Sequence, residues 1–69
     1  MRISVRIKKE GGGYCPQVKK GIFGRWEYLR REKAAFDYRY ITDSLPEYWN
    51  DKKYPQLILS GFILYTNLL

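Results

Sequence analysis

Residues 2–20, RISVRIKKEGGGYCPQVKK, contain the pattern that decides the predicted fold. Over residues 2–9, apolar β-branched side chains alternate with basic or polar ones, which predicts a strand with one buried face. The glycine triplet 11–13 accepts positive φ angles without steric cost and therefore favours a turn. A second strand is expected to return over residues 14–20. Because Pro16 has no amide hydrogen, we expect this strand to lie at an edge of the sheet or to be bulged there.

A third strand is predicted over residues 25–31, after a turn at residues 21–24 that begins and ends with glycine. In this strand Trp26, Tyr28 and Arg30 share one face. The turn between the second and third strands therefore lies close to cationic and aromatic residues.

The next segment gives conflicting signals. Residues 29–35, LRREKAA, prefer a helix by intrinsic propensity. Aromatic residues then alternate with other side chains over residues 36–42, which is typical of a strand. We predict a fourth strand over residues 36–42, preceded by a wide turn.

A short helix is predicted from Ser44 to Lys52 or Lys53. Ser44 is suited to cap the first amides, Glu47 to reach back to them, and proline is tolerated in a first turn. The helix is expected to end there because Pro55 disfavours the α conformation of the residue before it.

The sequence therefore predicts a single α+β domain over residues 1–69. It is expected to be a small antiparallel β-sheet of four to five strands with one short α-helix packed on it. The apolar tail, residues 57–69, has no clear period, so a last strand and a dimerisation segment both stay open.

Composition excludes several ways of stabilising so small a chain. A domain of 69 residues buries only about 60% of its unfolded surface, and small domains often rely on disulfides, metals or self-association. Cys15 is the only cysteine and histidine is absent, so we expect no disulfide, no metal and no cofactor. A homodimer is favoured by elimination.

The same composition argues against an enzyme. Without histidine there is no ordinary base near neutral pH, and the carboxylates are scattered along the chain. Cys15 is expected to be a small, partly buried side chain. Its unpaired thiol predicts a cytoplasmic protein, and no apolar run approaches the roughly 20 residues of a membrane span, so we expect no membrane partner.

Positive charge is concentrated in the first part of the chain. Residues 1–40 carry eleven Lys or Arg against four acidic residues, a balance of +7 within a net charge of +6. This excess predicts an anionic partner. The candidate ligand-binding residues combine cations with rings for stacking, and they are Lys19, Lys20, Arg25, Trp26, Tyr28 and Arg30.

Other apolar residues in this region have a structural interpretation. Ile22 and Phe23 are expected to be tucked under the sheet, the alternative being contact with a partner protein. Most of the twelve aromatic residues are expected to build the core, with Trp26 and Tyr28 as exceptions.

The pattern Tyr14-x-Pro16-Gln17-Val18-Lys19-Lys20-Gly21-x-Phe23-Gly24-x-Trp26, after a basic and apolar strand, resembles short accessory proteins of bacteriophages and prophages. The resemblance covers the first half of the chain. It implies a factor that acts by binding, as anti-CRISPR proteins do, or by sequestering nucleotide signals, and a location in the host cytoplasm.

The leading hypothesis is a non-enzymatic, phage-type binding protein that engages nucleic acid or a nucleotide through this hairpin. The first alternative is an inhibitor that docks on an acidic patch of a host enzyme or defence protein. The second is a structural or assembly protein whose tail is its interface.

Overall fold

The computed structural model describes residues 2–68, with the side chains of residues 2–67. Four antiparallel strands form one sheet in the order β1-β2-β3-β4, and a helix follows. The elements are β1 Ile3–Glu10, β2 Gly13–Lys20, β3 Trp26–Lys33, β4 Tyr38–Asp43 and α1 Lys53–Leu68. The predicted α+β class is confirmed, with four strands in the described residues.

The first hairpin forms as its sequence predicts. Gly11 and Gly12 have φ angles of 59° and 80°, which residues with a β-carbon rarely adopt. These two residues connect Glu10 to its partner Gly13, and the register places Val5 opposite Val18. The alternation of β1 thereby directs its apolar residues to the same side as Val18.

The expected edge position of the second strand is wrong, because β2 lies between β1 and β3. The alternative of a bulge is wrong on the side of β1, where residues pair one to one through Ile7 and Pro16. Tyr14 exchanges both backbone hydrogen bonds with Trp49, at 2.8 and 3.0 Å. Alternate residues bond to the same neighbour, so Pro16 directs its nitrogen to that side as well. Pro16 has no hydrogen to donate, and the β2–β3 ladder ends beside it at the Gln17–Tyr28 pair. The proline is accommodated where one ladder stops and an isolated bridge begins.

Strand pairing overrides the helical preference of residues 29–35. β3 continues to Lys33, and its pairing with β4 extends from Tyr28–Asp43 to Lys33–Tyr38. The predicted third and fourth strands are confirmed within a few residues. The turn between them is closed by a hydrogen bond from the Ala34 amide to the Asp37 carbonyl, at 2.7 Å.

The helix predicted over residues 44–52 is wrong. This segment consists of bends and one isolated bridge. The Asp43 carboxylate accepts the Leu45 amide hydrogen at 2.8 Å, as in a cap, but no helix follows. The backbone of Trp49 is bonded to Tyr14 instead, which uses the N–H and C=O that helical bonds would need.

The helix begins later and is longer than predicted. The Asp51 carboxylate accepts the Lys53 amide hydrogen at 2.9 Å, and α1 continues for 16 residues. Pro55 lies in the first turn, where amides have no partner within the helix, so it does not end the helix as predicted. A last strand in the tail is therefore wrong, because residues 57–68 are helical, and Leu69 lies outside the described residues. At 16 residues α1 is also too short to cross a bilayer, and residues 2–68 contain no membrane-spanning helix.

One face of the sheet packs against α1 and forms the core. Ile58, Leu59 and Phe62 of the helix are buried against Val18 and Leu29 of the sheet. This is the helix side of the sheet. The alternate residues of every strand lie on the opposite surface, which we call the helix-free face.

Candidate functional site

The helix-free face unites four of the six predicted binding residues. Register places Lys19 opposite Trp26 and Gln17 opposite Tyr28, and Arg30 lies two residues further along β3 on the same face. The prediction that Trp26, Tyr28 and Arg30 share one surface is confirmed.

The other two predicted residues lie elsewhere. Lys20 is paired with Ile3 at the end of β2, so alternation places it on the helix side. Arg25 precedes β3 and is exposed in the turn. The six residues therefore do not share one face of the sheet. Lys20 and Arg25 flank the turn between β2 and β3.

Two cations lie over the ring of Trp26. The Arg6 Cζ atom is 4.0 Å and the Lys19 Nζ atom 5.3 Å from its centroid. Both distances are within the range of cation–π attraction. Half-burial leaves part of the indole accessible to solvent. The ring is thus combined with positive charge, which is the arrangement that base stacking beside a phosphate requires.

A buried amide fixes the position of Arg6. The Arg6 Nε–H donates to Gln17 Oε1 at 2.7 Å, and only 3% of Gln17 is exposed. Neither residue is among the binding residues predicted from the sequence. The alternation of β1 puts Arg6 on the polar face, but only the strand register brings it next to Trp26, two strands away.

A cavity of about 250 Å³ adjoins this cluster at the end of the face. Its lining includes the cations Arg2 and Lys19 and the hydroxyl of Ser4, together with Gly21 and Ile22. Lys19 therefore takes part in both the cavity and the Trp26 cluster.

The Tyr28 hydroxyl donates a hydrogen bond to the Glu10 carboxylate, which holds the ring in one orientation. This bond is the main reason that the pKa of Tyr28 is raised to about 12. The pKa of Glu10 is lowered, because Tyr28 and then Lys8, at 3.2 Å, donate to its carboxylate. The predicted stacking role of Tyr28 stays a prediction, but its polar end is occupied within the protein.

Replacing Glu10 with glutamine is expected to return the pKa of Tyr28 toward its ordinary value of 10 from about 12. Because the folded protein favours the protonated Tyr28, this hydrogen bond contributes fully to stability below pH 10. The contribution is lost as the pH rises through about 12, where Tyr28 ionises in the folded state. Phenolate absorbance during an alkaline titration measures the shift, and the Tyr28→Phe variant identifies which step belongs to Tyr28. An unchanged late step in the Glu10→Gln variant would contradict the hydrogen bond.

On β3 and β4, carboxylates neutralise the cations of the helix-free face. Arg30 is paired with Asp43, and Arg39 with Glu32 at 3.4 Å. The pKa of Asp43 is lowered, first by the Leu45 amide and also by Arg30. Within residues 2–68, neither Arg6 nor Lys19 has a carboxylate partner. The unneutralised charge of the face is therefore concentrated around Trp26.

The expected burial of Ile22 and Phe23 is wrong, since 71% and 99% of these side chains are exposed. Cys15 is fully buried, and burial raises the pKa of its thiol. Cys15 is thus more deeply buried than the partly buried side chain that the sequence predicts.

No protein-family model, curated protein or solved structure matches this chain. The arrangement of side chains on the helix-free face is therefore the basis for assigning a function.

Proposed function

We propose that this chain is a small, non-enzymatic, phage-type binding protein that engages single-stranded nucleic acid or a nucleotide through its helix-free face. The observation that carries the proposal is the position of Lys19, which lies 5.3 Å from the Trp26 centroid and also lines the adjacent cavity. A stacking ring and a cationic cavity joined by one lysine fit a base and its phosphate.

In this complex the base packs against the accessible part of Trp26 and the plane of the Arg6 guanidinium. The phosphate enters the cavity and contacts Lys19, Arg2 and the Ser4 hydroxyl. Arg30 makes no free contact in this complex, because its guanidinium is already paired with the Asp43 carboxylate. Each stacked base is worth about 1–3 kcal/mol at such sites.

Charge reversal on the face tests this proposal against general electrostatic attraction. The variant Arg6→Glu/Lys19→Glu is expected to bind a fluorescent single-stranded oligonucleotide about tenfold more weakly or worse. The slope of log affinity against log salt should fall by about one for each phosphate that the variant no longer neutralises. Fluorescence anisotropy over a salt series measures both quantities.

The matched control is Lys9→Glu/Lys33→Glu, which makes the same change in net charge on the helix side of the sheet. Equal losses in the two variants would show that net charge, and not the Trp26 cluster, governs binding. Calorimetry with mononucleotides and dinucleotides distinguishes a nucleotide ligand from a longer strand. Absence of binding to every one of these probes at low salt would contradict the proposal.

An acidic patch on a host protein is the second candidate partner for the same face. The cations Arg6 and Lys19, which lack carboxylate partners within residues 2–68, support it, because charge complementarity steers protein association too. Such a partner would make the chain an inhibitor of a host enzyme or defence system. If an oligonucleotide and the host protein compete for the wild-type chain, and Arg6→Glu/Lys19→Glu binds neither, both ligands use the same surface.

We also propose that the chain forms a homodimer through α1. Its proposed location is the cytoplasm, which is that of the host if the chain is phage-encoded. Leu57 and Leu64 support the dimer, since both are exposed on the outside of the helix. The unpaired Cys15 supports the reducing compartment. Light scattering gives the molar mass, and a monomer at all concentrations would contradict the dimer.

A further inference from the structure

The turn between β2 and β3, residues 21–25, presents two large apolar side chains to solvent. Ile22 is 71% and Phe23 99% exposed. The backbone of the turn is held in place, since Gly21 has a φ of 77° and its amide donates to the Arg2 carbonyl at 2.6 Å. A β-carbon on Gly24 would lie 2.1 Å from the Lys20 carbonyl oxygen, so the chain doubles back tightly here. This tight turn holds the two apolar side chains outward.

Cations surround the apolar tip without carboxylate partners. Lys20 and Arg25 flank it along the chain, and Arg2 and Lys19 line the cavity beside Ile22. Within residues 2–68 none of these four side chains forms an ion pair. The tip therefore consists of exposed apolar side chains with a collar of free positive charge.

We propose that this tip binds the surface of an anionic lipid bilayer, with Ile22 and Phe23 inserted among the acyl chains and the cations at the headgroups. A bilayer offers negative charge directly above hydrocarbon, in the same order as the collar and the tip. A protruding turn can enter a bilayer without a pocket of matching shape. The expectation of no membrane partner rested on the length needed to span a bilayer, which surface binding does not require.

Other ligands satisfy only part of this surface. A nucleic acid would neutralise the cations but leave the aliphatic Ile22 in water. A protein would need an apolar pocket rimmed by carboxylates. Phe36 is an exposed aromatic residue with which the tip can be compared. It is fully exposed in the turn after β3, at the end of that strand far from the tip, and Asp37 follows it. An exposed ring beside an acidic residue lacks the free cationic collar.

Vesicle flotation tests the proposal with the intact chain. Wild-type protein is expected to float with vesicles of equal parts phosphatidylcholine and phosphatidylglycerol, but not with phosphatidylcholine alone. The variant Ile22→Ser/Phe23→Ser, which keeps every charge, should bind about tenfold more weakly or worse, because its apolar insertion is lost. The matched control Phe36→Ser should bind like wild type.

Two results would overturn the proposal. Wild-type protein that does not float with the anionic vesicles would exclude the bilayer and leave an acidic protein as the partner of the tip. Equal vesicle binding by wild type and Ile22→Ser/Phe23→Ser would show that the protein adsorbs to the vesicles through charge alone, without insertion of the apolar side chains. The single variant Phe23→Ser should also weaken vesicle binding but leave oligonucleotide binding unchanged, because Phe23 does not line the phosphate cavity. Failure at the membrane and failure of the nucleic-acid proposal are therefore distinguishable. Circular dichroism during heating shows whether each variant is folded.

Discussion

Replacement of Leu29 by alanine is expected to lower the free energy of unfolding by about 3 kcal/mol, within the range for a buried leucine. Leu29 is fully buried on the helix side of β3, in the same cluster as Val18, Ile58 and Phe62. Removing its side chain leaves a cavity where the helix and sheet meet. A domain of 69 residues has a total stability of about 3–10 kcal/mol. At the lower end of this range, the loss equals the entire free energy of unfolding.

Urea denaturation followed by circular dichroism measures this loss. The matched control is Leu45→Ala, because Leu45 is 62% exposed outside the helix and strands, and its change should stay within about 0.5 kcal/mol. Similar losses in both variants would contradict the position of the core. A Leu29→Ala protein that is unfolded without denaturant agrees with the prediction, provided that Leu45→Ala folds.

Replacement of Gly61 by alanine is expected to destabilise the protein by about 1–3 kcal/mol, although alanine normally stabilises a helix relative to glycine. A β-carbon at this position would lie 2.3 Å from the Tyr40 hydroxyl oxygen. The Tyr40 ring has little freedom to move away, because its centroid lies 5.7 Å from that of Phe62 and 5.2 Å from that of Tyr65. The Tyr40 hydroxyl therefore reaches the helix backbone only because residue 61 has no side chain.

A double-mutant cycle with Tyr40→Phe isolates this contact. Without the hydroxyl, the next Tyr40 atom is the ring carbon Cζ, 3.4 Å from the point that the alanine methyl group would occupy. Gly61→Ala should then become neutral or stabilising by up to about 1 kcal/mol, which is the helix preference of alanine over glycine. A rise in stability on Gly61→Ala in the wild-type background would exclude the close contact of the Tyr40 hydroxyl with residue 61.

The two proposed surfaces meet at Lys19 but depend on different chemistry. The helix-free face combines Lys19 with Trp26 and Arg6, whereas the tip depends on Ile22 and Phe23. Charge reversal at Lys19 therefore affects both surfaces, as does a change at Ile22, which lines the cavity, whereas loss of Phe23 affects only the tip. Variants at Phe23 and at Arg6 consequently separate a membrane function from a nucleic-acid function.

Part of the candidate site was predictable because strand alternation is a local property. Trp26, Tyr28 and Arg30 occupy every second position, so any strand over this segment puts them on one face. Proximity in sequence suggested the same surface for Lys20, but alternation with Lys19 turns it to the opposite side. Arg6 is not among the six predicted binding residues, because its distance to Trp26 depends on the register of three strands.

The sequence by itself determined the strands and the first turn, since alternating side chains and consecutive glycines act through local backbone preferences. It did not determine where the helix lies. A capping pattern at Ser44 competed with an apolar tail that has no clear period, and both were locally acceptable. Tertiary structure decided between them. The backbone of Trp49 pairs with Tyr14, while the tail buries Ile58, Leu59 and Phe62 on the sheet, and such long-range contacts leave no local pattern.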